Sequence, residues 1–185
     1  MTLVYWRDVR QAATATSRAR AARSCSIDPR GRTSAIAVRP ATSTDVDQLL
    51  KLAEEMDRFY GATEFEPLDL RRRQLHDALF GDSPAARALL AVDQDTAVGF
   101  AAYSFLWPAV GLTRSLYLKE LYVSDAQQRR GIGRSLMEAL FDVAREHDCS
   151  RVEWTTDRDN PGAQAFYKIF GVEPKDGKVF YRLEQ

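Results

Sequence analysis

The sequence predicts an α/β fold, and three observations carry that reading. Runs of apolar, β-branched and aromatic residues (Ala86 to Val92, Ala97 to Phe105, Ser115 to Val123) alternate with stretches whose apolar residues recur at helical spacing. Two of those runs are joined by a short turn from Asp93 to Asp95, as in an antiparallel pair. The segment from Ser115 to Thr155 reads strand, helix, strand, which makes its two strands parallel through a right-handed crossover. A chain of 185 residues with 45% hydrophobic content suits one domain around one core.

Taken in order, Ile36 to Val38 reads as a short strand ended by Arg39-Pro40. Thr42 and Asp45 have the spacing of a capping box, with Asp in place of Glu. The helix they open repeats apolar residues at Val46, Leu49, Leu50, Ala53 and Met56, reaches Phe59 and Tyr60, and ends at Gly61. A second helix is predicted over Leu68 to Phe80, stopped by Gly81-Asp82. A loop from Trp107-Pro108 to Thr113 leads into the long strand Ser115 to Val123. The next helix carries the stripe Ile132, Leu136, Met137, Leu140 and Phe141 and ends near Asp148. Val152 to Thr155 reads as a buried strand. Asn160 or Asp159 caps a last helix with Pro161 in its first turn, and Val179 to Leu183 reads as a final strand.

Composition narrows the function classes. Formal net charge is zero, so no global field favours nucleic acid or an anionic membrane, and neither is expected as a partner. The balance is uneven: residues 1–40 hold eight arginines against Asp8 and Asp28, so the remainder is net acidic and suits a cationic substrate. Cys25 and Cys149 are too few and too far apart for a zinc site or a disulfide framework; no metal is expected, and free thiols fit a cytoplasmic setting. No run of eighteen apolar residues exists. Residues 1–33 are rich in Ala, Arg and Ser without periodicity. They are expected to be a disordered extension, or the product of a start placed too far upstream, ahead of a domain over residues 34–185.

The chemistry concentrates after the long strand. Gln128-Arg129-Arg130-Gly131-Ile132-Gly133-Arg134-Ser135 forms a glycine-containing turn that opens directly into a helix. Free N–H groups and the positive dipole end of a helix make an anion site, and glycine lets a ligand approach the backbone. Three arginines surround the turn, so a phosphate or pyrophosphate is the implied ligand. No lysine follows the glycines as a P-loop requires, and Leu136 stands where a Rossmann fingerprint needs its third small residue.

Gln128-x-x-Gly131-x-Gly133 after Leu121-Tyr122-Val123 resembles the acetyl-CoA loop of the GCN5-related N-acetyltransferases (GNAT). Some thirty residues on, Asn160-Pro161-Gly162-Ala163-Gln164-Ala165-Phe166-Tyr167 resembles that family's Asn-x-x-Ala-x-x-Phe-Tyr segment. The resemblance covers Ile36 to Leu183. It implies a mixed, mostly antiparallel sheet of six to seven strands with a splayed parallel pair, flanked by about four helices. It implies acetyl-CoA as co-substrate, direct transfer to a primary amine in a ternary complex, and a homodimer. Leu121, Tyr122 and Val123 would lend backbone groups to pantetheine. Gln128, Arg129, Arg130, Gly131, Ile132, Gly133, Arg134 and Ser135 would hold the pyrophosphate, with Asn160, Ala163 and Tyr167 completing the cofactor side. Tyr167 would protonate the departing thiolate.

The reaction makes its own demands. A primary amine must lose a proton, which costs roughly 4–5 kcal/mol at pH 7 given a pKa near 10.4. Desolvation or a nearby base must favour that loss. Glu120, directly before the cofactor edge, is the expected base or amine anchor, and strand alternation would turn Lys119 to the opposite face. Glu120, Trp154 and Tyr60 are the expected amine-side residues. A phenol near pKa 10 donating to a thiolate near 8.5 is uphill by roughly 2 kcal/mol, so Tyr167 acts mainly as a hydrogen-bond donor unless its surroundings tune it. His76 and His147 are expected to be surface residues. Asp157 and Asp159 either cap the last helix or line the amine pocket.

Within the family the chain looks similar to diamine (spermidine/spermine) enzymes through Phe80-Gly81, Val98-Gly99-Phe100-Ala101, Trp107-Pro108 and Leu116-Tyr117-Leu118. It looks similar to yeast-type histone and D-amino-acid enzymes through Val152-x-Trp154-Thr155-Thr156-Asp157 and Ala163-Gln164. Lys119 departs from the diamine pattern, which has glutamate there. The expected acceptor is a small polyamine, diamine or amino-acid-like amine. The alternatives are a protein or histone lysine and a non-catalytic acetyl-CoA-binding module.

Overall fold

The computed structural model describes residues 25–27, 33–175, 177, 179 and 181–183. A short antiparallel ribbon pairs β1 (Cys25–Ile27) with β2 (Thr33–Ala35). The main sheet has five strands: β3 (Ala37–Pro40), β4 (Arg87–Asp93), β5 (Thr96–Leu106), β6 (Arg114–Val123) and β7 (Cys149–Trp154), in that spatial order. Its first three pairings are antiparallel and β6–β7 is parallel, as the strand–helix–strand reading requires. The helices are α1 (Val46–Phe59), α2 (Leu68–Phe80), α3 (Ile132–Glu146) and α4 (Pro161–Lys168).

The two faces of the sheet hold two apolar clusters. Leu89, Ala101, Tyr103, Leu116 and Leu118 meet Ile132, Leu136, Met137 and Leu140 of α3, with Phe166, Tyr167 and Phe170 packed against them. On the other face Ala88, Leu90, Phe100 and Tyr122 meet Leu49 and Leu52 of α1, with Leu75 and Leu79 of α2. Ala88 and Leu90 face α1 while Leu89 and Ala91 face α3, the period-two alternation of a strand covered on both sides. The expected capping box forms: the Thr42 backbone N–H donates to Asp45 at 2.8 Å, ahead of a short 3-10 turn that leads into α1.

The strand count differs from expectation. Five strands form the main sheet among the described residues, not six to seven. Val179, Tyr181 and Leu183 keep the alternating pattern of a strand but are 75%, 87% and 85% exposed and pair with nothing described. Alternation yields a strand only where a sheet edge accepts it, since the ladder and side-chain neighbours supply the stability. Apart from β1 and Thr33, the expected extension over residues 1–33 lies outside the described residues.

Candidate active site

The site begins where two parallel strands part. The β6–β7 ladder runs from Arg114 opposite Cys149 to Leu118 opposite Trp154, and β6 then continues to Val123. Along Lys119–Val123 the β7 side of β6 therefore has no strand neighbour among the described residues. Backbone N–H and C=O groups on an open edge are strong and need partners. An amide-rich arm laid along that edge could pair with them as a strand does.

At the end of this edge β6 enters the phosphate-type turn. Gly131 sits at φ 78° as the N-cap of α3, a left-handed conformation that favours glycine, and no side chain caps the helix. The first intrahelical bond is Ser135 N–H to Gly131 O at 3.0 Å, so the N–H groups of Ile132, Gly133 and Arg134 precede the helical ladder. A helix start with free donors and a positive dipole end fits a pyrophosphate. Gly133 has a different purpose. A Cβ there would lie 3.3 Å from Cζ of Phe166 and 3.8 Å from Val123, so this glycine lets α4 pack on the first turn of α3.

The three arginines of the turn divide their roles. Arg130 reaches back to Asp93 at the end of β4, 3.0 Å away, and also donates to Gln127. Arg134 pairs along its own helix with Glu138 at 2.8 Å. Arg129, exposed at φ 61°, has no ion pair among the described residues. Gln128 is occupied locally, donating to Asp125 at 2.8 Å and Val123 O at 3.4 Å, while the Ser135 hydroxyl donates to Gly131 O at 3.3 Å.

α4 brings the phenol. Asn160 caps it, accepting from Ala163 N–H at 3.0 Å, which settles the cap in favour of Asn160 over Asp159. Tyr167 is half-buried, its ring 5.1 Å from that of Trp154 at the end of β7. Burial raises its phenol above the ordinary value, and Tyr60 and then Glu120 push in the same direction. Tyr60 follows the end of α1, and Glu120 lies on β6. His76 sits beside Asp77, and His147 stacks on Phe105 with its Nδ1 3.1 Å from Val143 O; neither has a described contact with this group.

The position of Lys119 corrects the alternation argument. Ala102 pairs with Glu120 and Tyr103 with Leu118, so Lys119 is an extra residue, a β-bulge. Before it Leu116 and Leu118 enter the α3 cluster; after it Leu121 and Val123 do, and Tyr122 turns to α1. The bulge thus resets the parity of the strand and puts Lys119 and Glu120 side by side, Nζ to Oε1 at 3.2 Å. One trace of this exists in the sequence: the apolar step from Leu118 to Leu121 is three residues in a period-two strand.

One tie had no sequence signal. Glu55 of α1 accepts from the Ser124 hydroxyl at 2.8 Å and from Asp125 N–H at 3.3 Å, fixing the entry to the turn. The Tyr122 hydroxyl is buried beside it, and burial first, then Glu55, drives that phenol far above its usual range.

The arrangement matches a known family. The model for the acetyltransferase (GNAT) family matches residues 48–172. The chain belongs to this family. A D-amino-acid N-acetyltransferase of Saccharomyces cerevisiae is 35% identical over 95 residues, covering 50% of the chain and 58% of that protein. The thialysine N-epsilon-acetyltransferase of Mus musculus is 24% identical over 162 residues, covering 80% of the chain and 91% of that protein. The chain thus spans little more than half of the first relative and most of the second. A solved integron cassette protein from V. cholerae superposes with a TM-score of 0.71 at 29% identity, over 81% of the chain and 93% of its own. An aminoglycoside N-acetyltransferase solved with CoA shares the fold at a TM-score of 0.67 and 20% identity, over 83% and 98%. GNAT acetyltransferases use acetyl-CoA, and the open β6 edge, the uncapped α3 and the unpaired Arg129 have the donor set that its pantetheine and phosphates need.

Proposed function

We propose that this GNAT-family protein transfers acetyl from acetyl-CoA directly to a primary amine of a small molecule, an amino-acid-like amine or a polyamine. Acetyl-CoA supplies the activated acyl group as a thioester, and the net change turns a protonated amine and a thioester into an amide, a thiol and a proton. The observation that carries the proposal is the early end of the β6–β7 ladder at Leu118 and Trp154. It opens the backbone of Lys119–Val123 between the uncapped start of α3 and Tyr167.

Each residue then has a task. The first-turn N–H groups of α3 and Arg129 hold phosphate charge. The open edge of β6 orients the arm and offers N–H groups where oxygen charge would develop. Glu120 holds the ammonium and takes up its proton, and Tyr167 keeps its own proton for the sulfur side because burial raises its phenol. Trp154 and Tyr60 wall the amine side. The relatives' names, D-amino-acid and thialysine acetyltransferases, support a small amine as acceptor.

A thiol-release assay with acetyl-CoA and an acceptor panel tests this. The panel holds spermidine, putrescine, thialysine, D- and L-amino acids and a histone-tail peptide. Release above the hydrolysis background with at least one small amine is expected. Acetyl-CoA binding by calorimetry without release for any acceptor would leave only a binding module.

A further inference from the structure

The bulge at Lys119 places a cation and a carboxylate of adjacent residues on one patch beside the open edge of β6. Lys119 Nζ lies 3.2 Å from Glu120 Oε1, with the lysine side chain 67% exposed and the glutamate 33%. A bulge of this kind re-aims side chains and is enriched at functional sites. Neither group has another ion partner among the described residues, so each satisfies only the other and retains hydrogen-bonding capacity toward solvent. Lys119 has three donors and Glu120 about four acceptor sites.

Such a pair is a poor anchor for a second cation. A polyamine that put one ammonium on Glu120 would bring it within a few ångströms of the Lys119 ammonium, and like charges disfavour that contact. A zwitterion fits instead. In a free α-amino acid the ammonium and carboxylate hang on one carbon, with N and O roughly 3 Å apart by covalent geometry. That is close to the Lys119–Glu120 separation. The two ion pairs can exchange partners, ammonium to Glu120 and carboxylate to Lys119, with every charge still matched.

We infer that Lys119 and Glu120 together read the ammonium and carboxylate of a free α-amino acid, with Lys119 as the specificity-determining residue that selects it over a carboxylate-free amine. This rests on the acetyl-transfer reading and narrows it. Lys119 touches the substrate carboxylate and not the reacting atoms. Glu120 contacts the amine that reacts.

The test uses the full chain, acetyl-CoA and matched acceptors: a panel of amino acids, each with its carboxamide and its decarboxylated amine. The carboxamide keeps the shape but has no charge to pair with Lys119. Its amine is also easier to deprotonate, so proton affinity alone would favour it. The expected result is a higher kcat/KM for the amino acid, by about tenfold, the usual scale of one charge-assisted contact. Lys119→Gln should raise KM for the amino acid far more than for the carboxamide and so erase most of that preference. Lys119→Arg should keep it, and Lys119→Glu should shift preference toward diamines. Lys119 is exposed, so folded variants are expected, and circular dichroism checks them. A parent enzyme that favours the carboxamide or the diamine, or a Lys119→Gln that slows all acceptors equally, overturns the inference and leaves acetyl transfer standing. Absence of thiol release with every acceptor overturns both.

Discussion

The Ser124 hydroxyl donates to Glu55 Oε1 at 2.8 Å, joining residues 69 apart in the chain. Ser124 follows β6 and begins the turn into α3; Glu55 belongs to α1 on the opposite face of the sheet from α3. The same carboxylate receives Asp125 N–H, so α1 holds the turn's entry by two contacts. Glu55→Ala is expected to raise KM for acetyl-CoA by about three- to tenfold, the scale of losing hydrogen bonds to a charged acceptor, with a smaller change in kcat. Ser124→Ala should do less, and the double variant no more than Glu55→Ala alone, because both act through one contact. Fully additive effects would show that the two residues work separately.

The two glycines of the turn should respond differently. Gly131 at φ 78° is exposed and needs a left-handed backbone, so Gly131→Ala should cost about 1–2 kcal/mol in stability. Gly131→Glu adds a negative charge at the helix start and should abolish measurable acetyl-CoA binding by calorimetry. At Gly133 the added Cβ meets the Phe166 ring at 3.3 Å. Gly133→Ala should therefore lower the melting temperature by displacing α4, and Phe166→Leu should recover part of the loss. No recovery would place the requirement for glycine at the ligand instead of the α3–α4 contact.

The elements of this fold were legible wherever the signal was local. The capping residues before α1, the stripe of α3 and the Pro161 start of α4 announced helices within a residue or two of their ends. The turn from Gln128 to Ser135 and the segment from Asn160 to Tyr167 were legible as helix starts because each motif is contiguous. What remained hidden was non-local. A bulge depends on the register between β5 and β6, so Lys119 was turned to the wrong face. The ties of Glu55 to Ser124 and of Asp93 to Arg130 span long loops and leave no periodic trace. Val179 to Leu183 looked like a strand because alternation reports a half-buried surface, and here the surface to bury against is missing among the described residues.

Asp45 offers a stability test away from the chemistry. It is buried, accepts both guanidinium nitrogens of Arg39 at 2.7 and 2.8 Å, and also accepts from Thr42. The Arg39 hydrogen bonds, foremost, hold its carboxyl far below the usual carboxylate range, ahead of the opposing effect of burial. A depressed folded-state pKa contributes stability above the unfolded value near 4, lost as pH falls further toward the folded value. Melting temperature should accordingly fall below about pH 4, and Asp45→Asn should flatten that part of the profile while costing about 2–3 kcal/mol at pH 7. An unchanged acid limb in Asp45→Asn would assign the loss to other carboxylates.

Tyr167 and Glu120 should act on opposite ends of one reaction. Tyr167 must be protonated to serve the sulfur, so activity falls as pH rises through its pKa. Burial, with Tyr60 and Glu120 behind it, raises that pKa above the ordinary phenol value near 10, so the alkaline limb should lie above about pH 10. Tyr167→Phe removes only the hydroxyl and keeps the ring against Trp154. It should lower kcat by roughly 10- to 100-fold, the scale of losing one hydrogen bond to a charged sulfur, leave acetyl-CoA affinity nearly unchanged and abolish the alkaline limb. Glu120→Gln keeps the shape and removes the charge. Its deficit should be largest at low pH, where more of the amine is protonated, and should shrink as pH rises toward the amine's own pKa. If both variants matched the parent on a good amine from pH 6 to 9, neither side chain would be moving a proton. The site would then act by positioning and desolvation along the open edge of β6, with solvent carrying the protons.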